Sequence, residues 1–236
     1  MKRIGLIGGV SPESTVIYYQ LLNQAAQQRY GETSSAEVVI HALNFGEMYG
    51  YYKAEDWTTF KQRVVDAAKG LALQGCDLVA ISSNTTQVAA NDAAAALEIP
   101  LINLLECLAD AMREKGIQKP LVLGTPFVMN GPYYRAELLA TYGFETLIPE
   151  PAAQAVIDRV IFEELVKGVV RPESRQAYLE IIDAGRQAGA DGVILGCTEI
   201  GMLIEQAHTS LPVFDTTLIH AAAIAEAAFT PQLEPA

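Results

Sequence analysis

Short apolar runs rich in β-branched residues alternate along this chain with longer stretches whose apolar positions return every three or four residues. The short runs fit strands buried on both faces, and the longer period fits helices with one packed face. Strands are expected at Ile4–Ile7, Val38–Leu43, Leu78–Ser82, Leu101–Leu104, Leu121–Leu123, Glu145–Ile148, Val193–Leu195 and Val213–Phe214. Helices are expected at Glu13–Tyr30, Trp57–Gln74, Thr86–Leu97, Leu105–Lys115, Tyr133–Thr141, Ala155–Val166, Pro172–Ala188, Ile200–Gln206 and Leu218–Phe229. Such alternation is the pattern of parallel strands joined by crossover helices, so the expected class is α/β.

Three segments of the first half recur in order about 110 to 120 residues later, a small domain's length. The run from Lys2 to Gly9 resembles Lys119 to Thr125, Gly75 to Thr85 resembles Gly189 to Glu199, and Ile99 to Asn103 resembles Leu211 to Asp215. The repeat predicts two pseudo-symmetric domains, each a mostly parallel sheet flanked by helices. Residues 1–98 plus 213–236 would form the first half and 99–212 the second. Ligands of open α/β sheets bind beyond the carboxyl ends of the strands. The active site is therefore expected in the cleft between the halves, with Ser83-Asn84-Thr85 on one wall and Cys197-Thr198-Glu199 on the other. A substrate there would meet one reactive side chain on each face, the arrangement for moving a proton across a carbon.

Composition narrows the partners. A chain of 236 residues has room for two small domains or one large one. Sixteen basic against 28 acidic side chains leave a formal charge of −12. Nucleic acids and anionic membranes attract a positive surface, so neither is an expected partner, whereas a small anion responds to a local field. No apolar stretch approaches the roughly 18 residues of a membrane span. Near the start, Pro12 and Glu13 interrupt the apolar run after Lys2-Arg3, and no small-residue cleavage site follows, so a strand entering a loop is expected rather than a secretion signal. Cys76, Cys107 and Cys197 lie far apart, with no metal-ligand spacing to His41, His208 or His220, so neither a disulfide framework nor a zinc site is expected. A soluble cytoplasmic protein is the expectation.

The candidate chemistry lies at the strand ends. Cys197 stands where a buried strand stops and a helix is expected to begin, and a helix N-terminus can pull a thiol below its free pKa of about 8.5. A buried structural cysteine is the other reading, and it is the expected one for Cys76 and Cys107. Gly196 would let the backbone approach a ligand, and Thr198 offers a hydroxyl and an amide. Ser83 holds the repeated position, but a serine hydroxyl is a weak base with no adjacent histidine, and Gln87 cannot serve as one. It either relays a proton or binds substrate and caps the next helix. The Gly5–Ser11 segment either presents amides to an anion or is a tight turn, and it lacks the spacing of nucleotide-binding loops. Thr125, Ser11, Asn84 and Thr85 would add neutral donors. Lys167 and Arg159 are cations that could hold a second carboxylate or simply be solvated. Tyr18, Tyr19, Tyr133 and Tyr134 are expected as core or rim aromatics, and His220 as a structural histidine.

With Gly8-Gly9-Val10-Ser11-Pro12-Glu13-Ser14-Thr15, Ser83-Asn84-Thr85, Leu123-Gly124-Thr125, Gly196-Cys197-Thr198-Glu199 and Phe214-Asp215-Thr216 in view, the chain resembles the aspartate/glutamate racemase family over nearly its whole length. The resemblance implies a pyridoxal-independent enzyme with no cofactor, two pseudo-symmetric α/β domains, frequent homodimerisation, and two cysteines exchanging the α-proton of an acidic amino acid. It assigns Cys197 as one acid/base residue and places the other at Ser83. The family pattern there is Cys-Asn-Thr, with His often three residues after the Asn; here Ser83 and Gln87 stand instead. Some members carry Thr at the Ser83 position, so a hydroxyl is compatible with activity. Val166-Lys167-Gly168 matches the family's distal-carboxylate lysine. Asn84, Thr85, Thr125 and Thr198 match positions that hold the α-carboxylate and amino group, and Val10 and Ser11 join them as expected substrate contacts.

The expected function is racemisation of aspartate or glutamate. Two alternatives stand beside it: a one-cysteine decarboxylase or isomerase of a dicarboxylic acid on the same fold, and a catalytically impaired relative that only binds an acidic amino acid.

Overall fold

The computed structural model describes residues 1–229. The chain runs through β1 (Ile4–Gly8), α1 (Pro12–Tyr30), β2 (Val38–Ala42), α2 (Phe45–Lys53), α3 (Trp57–Leu73) and β3 (Leu78–Ile81). A 3-10 turn (Thr85–Ala89) leads into α4 (Ala90–Ala95), followed by β4 (Leu101–Ile102) and α5 (Leu104–Glu114). Next come β5 (Pro120–Gly124), α6 (Pro126–Asn130), α7 (Tyr134–Ala140), α8 (Pro151–Glu163), a 3-10 turn (Leu165–Lys167) and α9 (Pro172–Gln187). The last elements are β6 (Gly192–Gly196), 3-10 turns at Thr198–Met202 and Gln206–His208, β7 (Val213–Asp215) and α10 (Thr216–Phe229).

Among the described residues two compact units result: Met1–Leu104 with residues 220–229, and Leu105–Ile219. Both divisions lie a few residues beyond the expected 98/99 and 212/213. The cause is strand pairing: β4 pairs with β3 and β7 with β6, so each expected boundary cut a strand from its sheet.

The first unit holds a parallel sheet in the order β2-β1-β3-β4. Successive strand side chains point to opposite faces, and the core obeys that period. Ile4, Leu6, Leu78 and Ala80 share a cluster with Tyr18, Leu22 and Ala26 of α1 and with Ala221, Ile224, Ala225, Ala228 and Phe229 of α10. Burying a leucine such as Leu22 contributes about 1.5–3 kcal/mol. Helix α3 takes the other face: a Cβ on Gly5 would meet Leu71 Cβ at 3.1 Å. Helix α1 starts sharply because Ser11 Oγ accepts the Ser14 amide at 3.2 Å and Pro12 follows, its fixed φ suiting the first turn.

The second unit repeats this plan in the order β5-β6-β7, again parallel. Leu121, Leu123, Val193 and Leu195 pack with Ile157, Val160 and Ile161 of α8 and with Tyr178 and Ile182 of α9. The expected strand at Glu145–Ile148 shrinks to a single parallel bridge, Leu121 to Leu147, in the place that β2 holds beside β1. Proline accounts for the loss: Leu147 donates to the Pro120 carbonyl and accepts from the Val122 amide, and the next bond on either side would need an N–H from Pro120 or Pro149, which have none.

Candidate active site

In a doubly wound sheet the crevice opens where the chain reverses its direction of winding, which for the order 2-1-3-4 is between β1 and β3. Their register pairs Ile7 with Ile81, so Gly8 to Ser11 and Ser82 to Thr85 leave the sheet side by side. The Ser82 hydroxyl donates to the Ile7 carbonyl at 3.0 Å, and the Ser14 hydroxyl donates to the Ser82 carbonyl at 2.7 Å, tying both exits to α1.

The paired glycines have packing reasons. A Cβ on Gly8 would lie 2.5 Å from Thr15 Cγ2, and one on Gly9, at φ +85°, would lie 2.0 Å from the Leu43 carbonyl oxygen. The Gly9 amide already donates to Thr15 Oγ1 at 2.8 Å. This amide is therefore not held ready for an anion, which narrows the expected role of the loop. Val10 and Ser11 remain partly exposed at the turn, with Ser11 capping α1.

Ser83 and Asn84 are buried and Thr85 half-buried. Ser83 Oγ accepts the Thr86 amide at 3.4 Å and the Thr86 hydroxyl at 3.1 Å. Gln87, fully buried, donates from Nε2 to the carbonyls of Ile81 and Ser83, both at 3.0 Å.

The equivalent exit in the second unit lies between β5 and β6, whose register ends at Gly124 beside Gly196. Thr125 leaves β5 and Cys197 leaves β6. Thr125 Oγ1 is buried with no hydrogen-bond partner among the described residues, although the residue sits at the cap position of α6. Gly196 lies under α6, where a Cβ would meet Val128 Cγ1 at 2.8 Å; helix packing, not approach to a ligand, excludes a side chain there.

Cys197 is half-buried, and its thiol donates to Glu199 Oε2 at 3.0 Å. The expected lowering of its pKa is overturned. Burial pushes the thiol well above the usual range, the Glu199 carboxylate adds to the rise, and the amides of Thr198 and Glu199 oppose it without prevailing. The reason is local: Cys197 leads into a five-residue 3-10 turn rather than a longer helix, and that turn brings a buried carboxylate onto the sulfur.

Lys167 ends the 3-10 turn Leu165–Lys167, which packs against the turn Thr198–Met202 that begins with half-buried Thr198. Its side chain is exposed and has no ion-pair partner among the described residues. Arg159 is committed elsewhere, donating to Glu164 Oε1 at 2.9 Å. Glu164 is the buried centre of this corner, also accepting from Ser174 Oγ at 2.6 Å. The Ser174 hydrogen bond, followed by Arg159 and Arg171, holds its carboxyl below the usual range against its burial.

The other singled-out groups serve the fold. Cys76 is buried against Gly5, and burial, then Glu106 and Asp110, push the Cys107 thiol up to about 11. Tyr18 and Tyr134 are core residues, while Tyr19 is exposed and Tyr133 half-buried. His220 Nε2 lies 2.8 Å from the Ile102 carbonyl and must donate to it, so Nδ1 accepts from Tyr18 Oη at 3.0 Å. Burial lowers the His220 pKa to about 4, leaving a neutral structural imidazole. Sequence reading left Glu199 and Thr86 without roles, because contacts two and three residues away depend on the turn the chain takes after the strand.

Among the described residues no group of three or more His, Cys, Asp or Glu side chains could hold a metal, and no helix is long and apolar enough to cross a membrane.

The sequence profile of the family described as Asp/Glu/Hydantoin racemase matches residues 7–224. The broad specificity amino-acid racemase RacX of Bacillus subtilis (strain 168) is 23% identical over 221 residues, 91% of this chain and 92% of its own length. Two solved structures each cover 98% of this chain and 100% of their own. One is a candidate Asp/Glu racemase from Yersinia pestis, 36% identical with a TM-score of 0.91. The other is an aspartate racemase homologue from Pyrococcus horikoshii OT3, 31% identical with a TM-score of 0.86. A profile match across both parallel sheets, with Ser83 and Cys197 each following the inner strand of its sheet, makes this chain a member of the Asp/Glu/hydantoin racemase family.

Proposed function

We propose that this protein racemises aspartate or glutamate without a cofactor, by exchanging the α-proton between two bases, Cys197 and Ser83. The observation that carries the reading is the 3.0 Å contact between Cys197 Sγ and Glu199 Oε2 at the end of β6. A thiol with a raised pKa is seldom ionised, yet its thiolate is a stronger base, and it needs a proton acceptor at hand. Glu199 is that acceptor.

Substrate binding falls to the remaining strand-end groups. Asn84, Thr85, Thr125 and Thr198, with Val10 and Ser11 at the β1 exit, take the α-carboxylate and ammonium, and Lys167 takes the distal carboxylate. The partnerless Thr125 hydroxyl supports this, since a buried donor left unpaired by the protein costs about 1–3 kcal/mol until something accepts from it. With a net charge of −12, attraction of a dianion rests on these local donors rather than on the molecule's overall field. The family resemblance supports a cytoplasmic homodimer as the working form.

The test is α-hydrogen exchange in heavy water with both enantiomers of aspartate and glutamate, and with neutral amino acids because RacX is described as broad in specificity. Exchange and inversion are expected with an acidic substrate, with rates that rise with pH as the thiolate fraction grows, and both are lost in Cys197→Ala. Because the two enantiomers are equal in free energy, kcat/KM is the same in both directions, and the different acidities of a thiol and a hydroxyl show in kcat and KM separately. Undiminished exchange in Cys197→Ala overturns the reading, and carbon dioxide release from a substituted malonate without amino-acid exchange replaces it with the decarboxylase.

A further inference from the structure

Ser83 Oγ is approached twice by one neighbour. Thr86, 1% exposed, directs its amide and its hydroxyl onto that oxygen at 3.4 and 3.1 Å. A serine hydroxyl has one hydrogen and two acceptor positions. The amide can only donate, and with the Thr86 hydroxyl it fills both acceptor positions, so the group Ser83 retains is its hydrogen. The Ser83 backbone is held independently by Gln87, whose NH2 must face the two carbonyls it bridges even though this leaves Gln87 Oε1 buried without a partner among the described residues.

We propose that Thr86 is the positioning residue that makes Ser83 a proton donor in the inverting step. The inference rests on the two-base reading above. In that step the Cys197 thiolate takes the α-proton: the C–H bond breaks, an S–H bond forms, and the electron pair stays on the carbon and spreads into the α-carboxylate. The Ser83 O–H bond then breaks and its proton joins the opposite face of the carbon. The alkoxide left on Ser83 is held by the Thr86 amide and hydroxyl until water returns a proton to it, while the Cys197 proton leaves to water by way of Glu199. Donors aimed at the oxygen where charge develops favour the charged form.

Four variants and two readouts test this. Inversion is followed as the change in enantiomer, and retention exchange as deuterium entering the starting enantiomer through Cys197 alone. Thr86→Val removes the hydroxyl but keeps the amide and is expected to lower kcat for inversion roughly 10- to 100-fold, with KM and retention exchange little changed. Thr86→Ser restores the donor and should recover most of the inversion rate. In a Ser83→Cys background Thr86→Val should have little effect, because a thiol ionises without that help. Inversion within twofold of the parent in Thr86→Val overturns the proposal. So does a parallel fall of inversion and exchange that Thr86→Ser does not rescue. Full inversion in Ser83→Ala instead removes the two-base reading itself, a result separable from any outcome at Thr86.

Discussion

Lys167 and Arg159 carry the same charge in neighbouring segments of the second unit, and their surroundings separate them. Arg159 neutralises Glu164, whereas Lys167 leaves its ammonium exposed on a turn packed against the one that begins after Cys197. Lys167→Met is therefore expected to raise KM for aspartate or glutamate roughly 10- to 100-fold, the worth of a charge-assisted hydrogen bond. A neutral amino acid should lose far less, and steady-state kinetics on the two substrate types check it. Equal losses would show that the lysine supports the fold and does not clamp a carboxylate. The identities of Cys197 and Ser83 as candidates were legible in the chain because motif and repeat both mark them, and that of Lys167 because the family motif alone does. The state of the thiol was not. It depends on Glu199 folding back within a 3-10 turn, and spacing alone cannot distinguish that turn from the first turn of a longer helix.

Elements with a strong period were legible, and those set by a single tertiary contact were not. The long helices α3 and α9 and the buried strands β1, β3, β5 and β6 follow their hydrophobic patterns to within a residue or two at most ends. Helix α2 escaped notice because Gly46 and Gly50 weaken its helical signal; its aromatic residues Phe45, Tyr49 and Tyr52 stack along one side instead. The expected helix Ile200–Gln206 became two short 3-10 turns, and Glu145–Ile148 kept a single bridge because Pro120 and Pro149 have no N–H for the neighbouring ladder bonds. The β1 exit is the element most sensitive to one atom. In Gly9→Ala the positive φ alone costs about 1–3 kcal/mol, and the new methyl collides with the Leu43 backbone. A fall in thermal midpoint of several degrees is expected, together with loss of activity from displacement of Val10 and Ser11; a parental melting curve would contradict the close packing of β1 on the end of β2.

At the scale of the molecule, His220 joins three distant parts of the chain: it belongs to α10, accepts from Tyr18 of α1, and donates to Ile102 of β4. Its folded pKa of about 4 lies below the unfolded value of about 6.5, so between these pH values the unfolded chain binds the extra proton. Stability supplied by the neutral ring is complete above about pH 6.5 and falls as pH drops toward 4, by on the order of 3 kcal/mol in total. Denaturant melts at pH 7 and pH 4.5 should show that loss, and His220→Gln should flatten it; an unchanged slope would place the acid sensitivity elsewhere.

The same joining of distant segments sets an order on synthesis. The second unit is one continuous stretch, Leu105–Ile219, whereas the core of the first needs α1 from near the start and Phe229 of α10. Domains commonly fold in the order they leave the ribosome. Here the half translated first must wait for α10, so the later half completes its core ahead of it, and the apolar face of the sheet that α10 covers stays open until that helix has left the ribosome.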